Sequence, residues 1–276
     1  MKKSFNTIDL IVLGLPAFTL ISVILRLIAL LTAFDTSVGY FDSAAIITYI
    51  DRAVFFAAIA FGIIVPIITK KDDVSAAPSP VTLWSTFASF ALGFVFAIFA
   101  LLFTLLSWQS RSILSYVVSV GAVVSAVYYI YEGFRPIKAE GLTAKRAIVA
   151  IISIVGLIAI VFLENFDFTV ALNSSEKLLS MFVFVLAPIF IIQKLKFHTE
   201  APSPRFYLCT AFLTALLGAY LSIPCIIANC AGTLENPKYL LYYLLALALS
   251  IYASMDFMGR IKLTRLADIT DAHDEQ

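Results

Sequence analysis

The chain of 276 residues is 61% hydrophobic and only 13% charged, and its mean hydropathy is +0.98. A soluble domain carries about twice that charged fraction, so a single water-exposed globule is excluded and a lipid bilayer is the expected surrounding. The formal net charge of +1 also excludes the dense basic surface that nucleic-acid binding requires.

Apolar runs of near-membrane length follow one another from the first residues almost to the last. A transmembrane helix needs roughly 20 mostly apolar residues, and the runs meet that requirement or come close to it. The sequence therefore predicts an all-α integral membrane protein with eight transmembrane helices. The runs cover residues 8–33, 45–69, 82–106, 112–134, 146–163, 177–193, 206–228 and 239–258.

Basic residues between the runs are unevenly distributed. With the amino terminus inside, fourteen Lys and Arg residues fall on the inner side and four on the outer side. Positive residues favour the cytoplasmic side, and an even number of spans returns the chain to its starting side. We expect a multi-pass protein of a prokaryotic cytoplasmic membrane with both termini in the cytoplasm.

The sequence Ala-Pro-Ser-Pro occurs at 77–80 and again at 201–204, and each copy is followed at the same distance by an acidic residue, Glu132 or Asp256. This pattern is typical of an internal duplication. With four spans in each copy, both halves enter the membrane in the same direction, which predicts two tandem parallel four-helix repeats. The expected divisions are 1–138 for the first repeat, 139–145 for a cytoplasmic linker, 146–262 for the second repeat and 263–276 for a polar tail.

The repeated loop has two interpretations. Two spaced prolines make a stiff extended entry to the next span, which is a structural role. Alternatively, the loop is a docking strip for a cytoplasmic partner. The residues concerned are Pro78, Ser79, Pro80, Pro202, Ser203 and Pro204.

Two Tyr-carboxylate pairs are the most specific candidates for a site. They are Tyr128 with Glu132 and Tyr252 with Asp256. Residues four apart share one helix face, so a hydroxyl and a carboxylate could together bind a cation, relay a proton or orient a polar solute. The alternative is that each acid closes its own helix end by pairing with Arg135 or Arg260.

Further charges lie at or inside the spans. Asp51 and Arg52 begin the second span, and Glu176 and Lys177 begin the sixth. They are either ordinary helix-start charges favoured by the helix dipole or the ion pairs of an outer gate. Arg26 lies inside the first span; it either extends to the headgroups or faces a buried carboxylate, with Asp51 nearest in topology, or an anionic ligand.

Prolines inside spans are a weaker indication. Pro66, Pro188 and Pro224 interrupt apolar runs. Kinked helices often line the cavities of transporters, although kinks that only improve packing are commoner.

The chain shows no phosphate-binding loop, zinc-protease motif or serine–histidine pair at membrane depth, so an enzyme is the less favoured class and no cofactor or metal is expected. We therefore expect a permease or channel-like transporter of a small solute or ion, with its pathway between the two repeats. The alternative is a non-catalytic membrane subunit or scaffold that binds partner proteins.

Overall fold

The structure is a computed structural model that describes residues 7–35, 40–69, 83–108, 112–134, 143–167, 174–197, 203–232 and 237–274. Within these ranges the chain is helical apart from one two-stranded hairpin, and eight helices are long and apolar enough to cross a membrane. The helices are α1 Thr7–Ala33, α2 Ile46–Ile68, α3 Leu83–Ser107, α4 Ile113–Gly133, α5 Ala144–Asn165, α6 Ser175–Lys196, α7 Pro204–Cys230 and α8 Pro237–Asp274. The sequence prediction of a multi-pass α-helical membrane protein is confirmed.

Two features depart from the predicted runs. Helix α8 continues to Asp274 instead of ending near residue 258; the polar stretch beyond its apolar segment contains no proline, and the helix passes through Gly259. The second is a small antiparallel hairpin, β1 Phe34–Asp35 with β2 Tyr40–Phe41, which follows α1. Its strands have two residues each, which is too short for an alternating pattern to reveal.

Helix α7 is the most buried helix of the bundle. In its apolar window 78% of the residues are buried, against 67% in α8 and 28–44% in the other spans. Helix α7 packs against α1, α2, α6 and α8, whereas α8 also contacts α3. Helices α3, α4, α5 and α6 follow one another around the bundle, each in contact with the next. The lipid-facing sides of the outer helices carry large apolar residues, as a bilayer requires.

Aromatic rings fill the centre of the bundle. The Tyr242 ring of α8 lies 5.8 Å from Phe99 of α3 and 6.1 Å from Phe184 of α6, measured between ring centroids. Such rings bury large apolar areas and favour tilted or edge-on contacts. They fix α8 between the helices on either side of it.

Helices α4 and α5 are in close backbone contact at Gly121 and Gly156. A Cβ atom placed on Gly121 would lie 2.5 Å from the Gly156 Cα atom. Small residues allow this approach, which is the usual way in which helices associate without a hydrophobic driving force in lipid.

The candidate prolines Pro66, Pro188 and Pro224 lie inside helices that continue through them, and so does Pro16 of α1, which the sequence analysis did not single out. Ser203 and Pro204 form the start of α7, with Pro204 in the first turn, where its missing N–H costs no helical hydrogen bond. Pro78, Ser79, Pro80 and Pro202 lie outside the described residues, so the docking interpretation of the repeated loop stays a prediction.

Candidate functional site

Contacts between the helices define two ends of the bundle. We call the end that carries the β1–β2 hairpin the hairpin end, and the end where α1, α3, α5 and α7 begin the terminal end. Charged side chains are buried at both ends, although a charge inside a bilayer costs several kcal/mol unless it is paired or hydrated.

The hairpin-end cluster consists of Arg26, Asp51, Glu176 and Tyr220. Arg26 of α1 is only 4% exposed, and its Nη2 atom lies 2.7 Å from Oε1 of Glu176 on α6. Its Nη1 atom lies 3.5 Å from Oδ2 of Asp51 on α2, and the Tyr220 hydroxyl of α7 donates to that same oxygen at 2.7 Å. The guanidinium also lies 4.2 Å from the centre of the Phe41 ring of the hairpin, a cation–π contact. Four helices and the hairpin therefore meet around one arginine.

Successive helical residues explain which candidates join this cluster. Neighbours on an α-helix point about 100° apart, so Asp51 is buried in the bundle while Arg52 is exposed. Glu176 and Lys177 are both buried but point to different partners, because the Lys177 Nζ atom donates to the backbone oxygen of Asp167 at 2.6 Å. Arg26 does not extend to the headgroups: the structure supports the interpretation that it faces buried carboxylates.

At the terminal end, Glu132 of α4 pairs with Arg146 of α5. The Arg146 Nε atom donates to Glu132 Oε1 at 2.5 Å, and its Nη2 atom contacts the same oxygen. Both side chains are buried. This partner lies on the next helix and differs from Arg135, which the helix-end interpretation named and which lies outside the described residues. The pair joins the last helix of the first predicted repeat to the first helix of the second.

The terminal-end cluster consists of Lys194, Tyr207, Tyr252 and Asp256. The Lys194 Nζ atom of α6 lies 2.7 Å from Oδ1 of Asp256 on α8 and donates to the Tyr252 hydroxyl at 2.5 Å. The Tyr207 hydroxyl of α7 donates to the other carboxylate oxygen of Asp256 at 2.5 Å. The fully buried Arg260 lies over the Phe197 ring, 3.5 Å from its centre, so its guanidinium closes this end of the cluster.

Tyrosine rings connect the two groups of charges at the terminal end. The Tyr129 ring lies 5.0 Å from Tyr128 and 5.1 Å from Tyr252, in both cases edge to face. The predicted Tyr-carboxylate pairs of α4 and α8 are thereby brought to one region between the two halves of the chain.

Helix α7 gives the distance between the two clusters. It donates a tyrosine hydroxyl to a carboxylate at each end, from Tyr207 and from Tyr220. Thirteen helical positions separate these tyrosines, which corresponds to about 20 Å along the axis. The hydrocarbon core of a bilayer is about 30 Å thick, so both clusters fit inside it.

Two cavities lie at opposite ends of the contact between α4 and α5. The larger, at the terminal end, has a volume of about 660 Å³ and is lined by Tyr128, Arg146, Val127 and Val149 among others. The smaller, at the hairpin end, has a volume of about 470 Å³ and is bounded by α3, α4 and α5. Between them lie the close approach of the two glycines and a hydrogen bond of 2.7 Å between the hydroxyls of Ser125 and Ser153.

The described residues hold no group of three or more His, Cys, Asp or Glu side chains that could bind a metal ion. The polar groups of the clusters are suited to binding protons or small polar solutes through hydrogen bonds and ion pairs.

Sequence reasoning found the acids of these clusters and missed most of their partners. Lys194 and Arg146 are two of the fourteen inner basic residues counted above, and neither they nor Tyr207 and Tyr220 are among the predicted site residues. The tyrosines carry a weak signal, since a hydroxyl deep in an apolar span usually requires a partner. Which acid it meets depends on helix packing.

Comparisons of the chain with protein-family models, with curated proteins and with solved structures find no match.

Proposed function

We propose that this protein is a carrier for a small polar or charged solute, which passes between the two predicted four-helix repeats. The observation that carries the proposal is the 660 Å³ cavity between α4 and α5, whose wall includes Tyr128 and the ion-paired Arg146. Its volume falls in the range of about 300–1,000 Å³ that is usual for sites of small molecules. The cavity combines an apolar lining with a few polar groups that can orient a solute.

Buried charges at both ends of the bundle support a carrier that opens at one end at a time. The hairpin-end cluster joins α1 and α2 to α6 and α7, and the Glu132–Arg146 pair joins α4 to α5. The Arg26–Glu176, Tyr220–Asp51 and Glu132–Arg146 contacts connect the first predicted repeat with the second. If the repeats rock against one another, such ion pairs would break and reform as gates.

Cavity-filling variants test the site. The purified full-length protein is first screened for compounds that raise its melting temperature, among them amino acids, organic acids, sugars and inorganic ions. It is then reconstituted into liposomes, and the uptake of each stabilising compound is measured. Val149→Trp fills the cavity, whereas Val155→Trp is the matched control, because Val155 is an exposed residue of the same helix outside the cavity lining. We expect Val149→Trp to abolish stabilisation and uptake and Val155→Trp to preserve both.

Charge-neutralising variants test the pathway. Glu132→Gln and Asp256→Asn should each abolish uptake in protein that remains monodisperse by size-exclusion chromatography. Normal uptake by both variants would contradict the assignment of these residues. The absence of any stabilising compound, together with purification of a stoichiometric second chain, would favour a non-catalytic subunit over a carrier.

A further inference from the structure

The hairpin-end cluster contains two buried carboxyl groups for one arginine. Glu176 is the closer partner of Arg26, at 2.7 Å, and the hydroxyl of Ser175 donates to the same carboxylate oxygen at 2.8 Å. Asp51 Oδ2 lies 3.5 Å from the guanidinium, which is longer than a good hydrogen bond. Glu176 is therefore the counterion of Arg26, and Asp51 is the surplus acid.

The surroundings of Asp51 do not compensate a second negative charge. The residue is only 1% exposed, and its Oδ2 atom accepts one hydrogen bond from the neutral Tyr220 hydroxyl. Its Oδ1 atom is buried without a hydrogen-bond partner among the described residues. An ionised carboxylate in such a position is strongly disfavoured, whereas a neutral carboxylic acid carries no net charge to solvate.

The other titratable and charged groups around this site come from α1 and α7, which pack against α2, from α6 and from α2 itself. Arg26 of α1 and Tyr220 of α7 lie beside Asp51, and Arg52 follows it on α2. Glu176 of α6 and Cys225 of α7 lie on the far side of the Arg26 guanidinium. Arg52 is exposed, and Arg26 is already engaged by Glu176. Asp51 is thus the group of this cluster that can take up a proton with the least loss of existing contacts.

A metal cation fits the site less well than a proton. Hard cations require several oxygen ligands, about six to eight for calcium. Among the described residues the Asp51 carboxylate accepts a hydrogen bond from Tyr220, and the positive charge of Arg26 lies 3.5 Å from it, which disfavours a second cation.

We propose that Asp51 is a proton-binding site, protonated on Oδ1 at neutral pH in the closed arrangement described above. Opening the hairpin end would admit water, and the carboxylic acid would release its proton to that water and become a carboxylate that still accepts the Tyr220 hydrogen bond. Proton binding by itself does not depend on transport. Its use as the coupling step rests on the proposed carrier function.

Infrared difference spectroscopy of the purified full-length protein, recorded in H₂O and D₂O at neutral pH, tests the site. A buried carboxylic acid gives a carbonyl stretch that an ionised carboxylate lacks. We expect in the wild-type protein a band that is lost in Asp51→Asn and that persists in Glu132→Gln, a matched variant of a buried acid whose charge Arg146 compensates. Glu176→Gln should also remove the band, because Arg26 would then draw Asp51 into ionisation.

Thermal melting gives a second readout. Asp51→Asn should melt at the wild-type temperature, because Asn retains the oxygen that accepts from Tyr220 and has no charge to lose. A wild-type spectrum without the band, or a band that Asp51→Asn leaves unchanged, would overturn the proposal. Stabilisation of the wild-type protein by sodium chloride relative to choline chloride that is lost in Asp51→Asn would instead identify a sodium site. If the band behaves as expected but no proteoliposome uptake is found, the proton site stands and the carrier function fails.

Discussion

Removing Lys194 should expose how strongly the terminal-end cluster depends on charge balance. The Lys194→Met variant deletes the cation that lies 2.7 Å from Asp256 and leaves the buried carboxylate with the Tyr207 hydroxyl and the more remote charge of Arg260. Met has a similar length and volume, so the change is mainly one of charge.

The expected cost follows from the burial of the pair. Breaking a buried ion pair by removing one partner costs about 3–5 kcal/mol. Because the Lys194 side chain is 17% exposed, we expect a cost at the lower end of this range, about 3 kcal/mol. Such a cost lowers the folding equilibrium constant by a factor of about 100. The double variant Lys194→Met with Asp256→Asn should recover more than half of this loss, since neither charge then remains buried alone.

The free energy of unfolding can be measured by titrating the micelle-bound protein with sodium dodecyl sulfate and following its tertiary structure. Lys145→Met is the control: Lys145 is exposed, and its replacement should change the free energy by less than about 0.5 kcal/mol. Wild-type stability of Lys194→Met would show that the ion pair with Asp256 does not stabilise the fold, and a double variant whose loss equals the sum of the two single losses would show that the two residues are not coupled.

Two further predictions concern the contact between α4 and α5. Gly121→Ala should destabilise the protein by about 1–3 kcal/mol, because its Cβ would meet the backbone of Gly156. This loss outweighs the helix propensity of Ala, which favours a helix by about 1 kcal/mol. Val123→Ala on the exposed face is the control, and an equal effect of both variants in the same unfolding assay would contradict close packing as the cause. Ser125→Ala removes the hydrogen bond to Ser153 and should lower the free energy of unfolding by about 0.6 kcal/mol, a typical value between membrane helices. If the double variant with Ser153→Ala lost twice as much stability, the two hydroxyls would not be coupled.

The number and order of the spans could be predicted because the bilayer acts on each segment separately. A run such as residues 82–106 is long and apolar enough to become α3 whatever its neighbours do. The hairpin of Phe34 and Phe41 could not be predicted, since two-residue strands carry no periodic signal.

The candidate site was predictable only in part. Asp51, Glu176 and Arg26 stand out because charges in apolar segments are rare. Their grouping was not evident, because Arg26 and Glu176 are 150 residues apart and meet only when α1 and α6 pack on α7. The same holds for Asp256, whose nearest sequence neighbour of opposite charge is Arg260 but whose ion-pair partner is Lys194.

The sequence alone is enough to predict eight apolar helices with acids inside or next to them, because hydropathy and span length are local properties. Helix packing sets which base each acid meets, at what distance, and where a cavity opens between α4 and α5. These depend on side-chain direction and helix contact, which arise only when helices distant in sequence pack together.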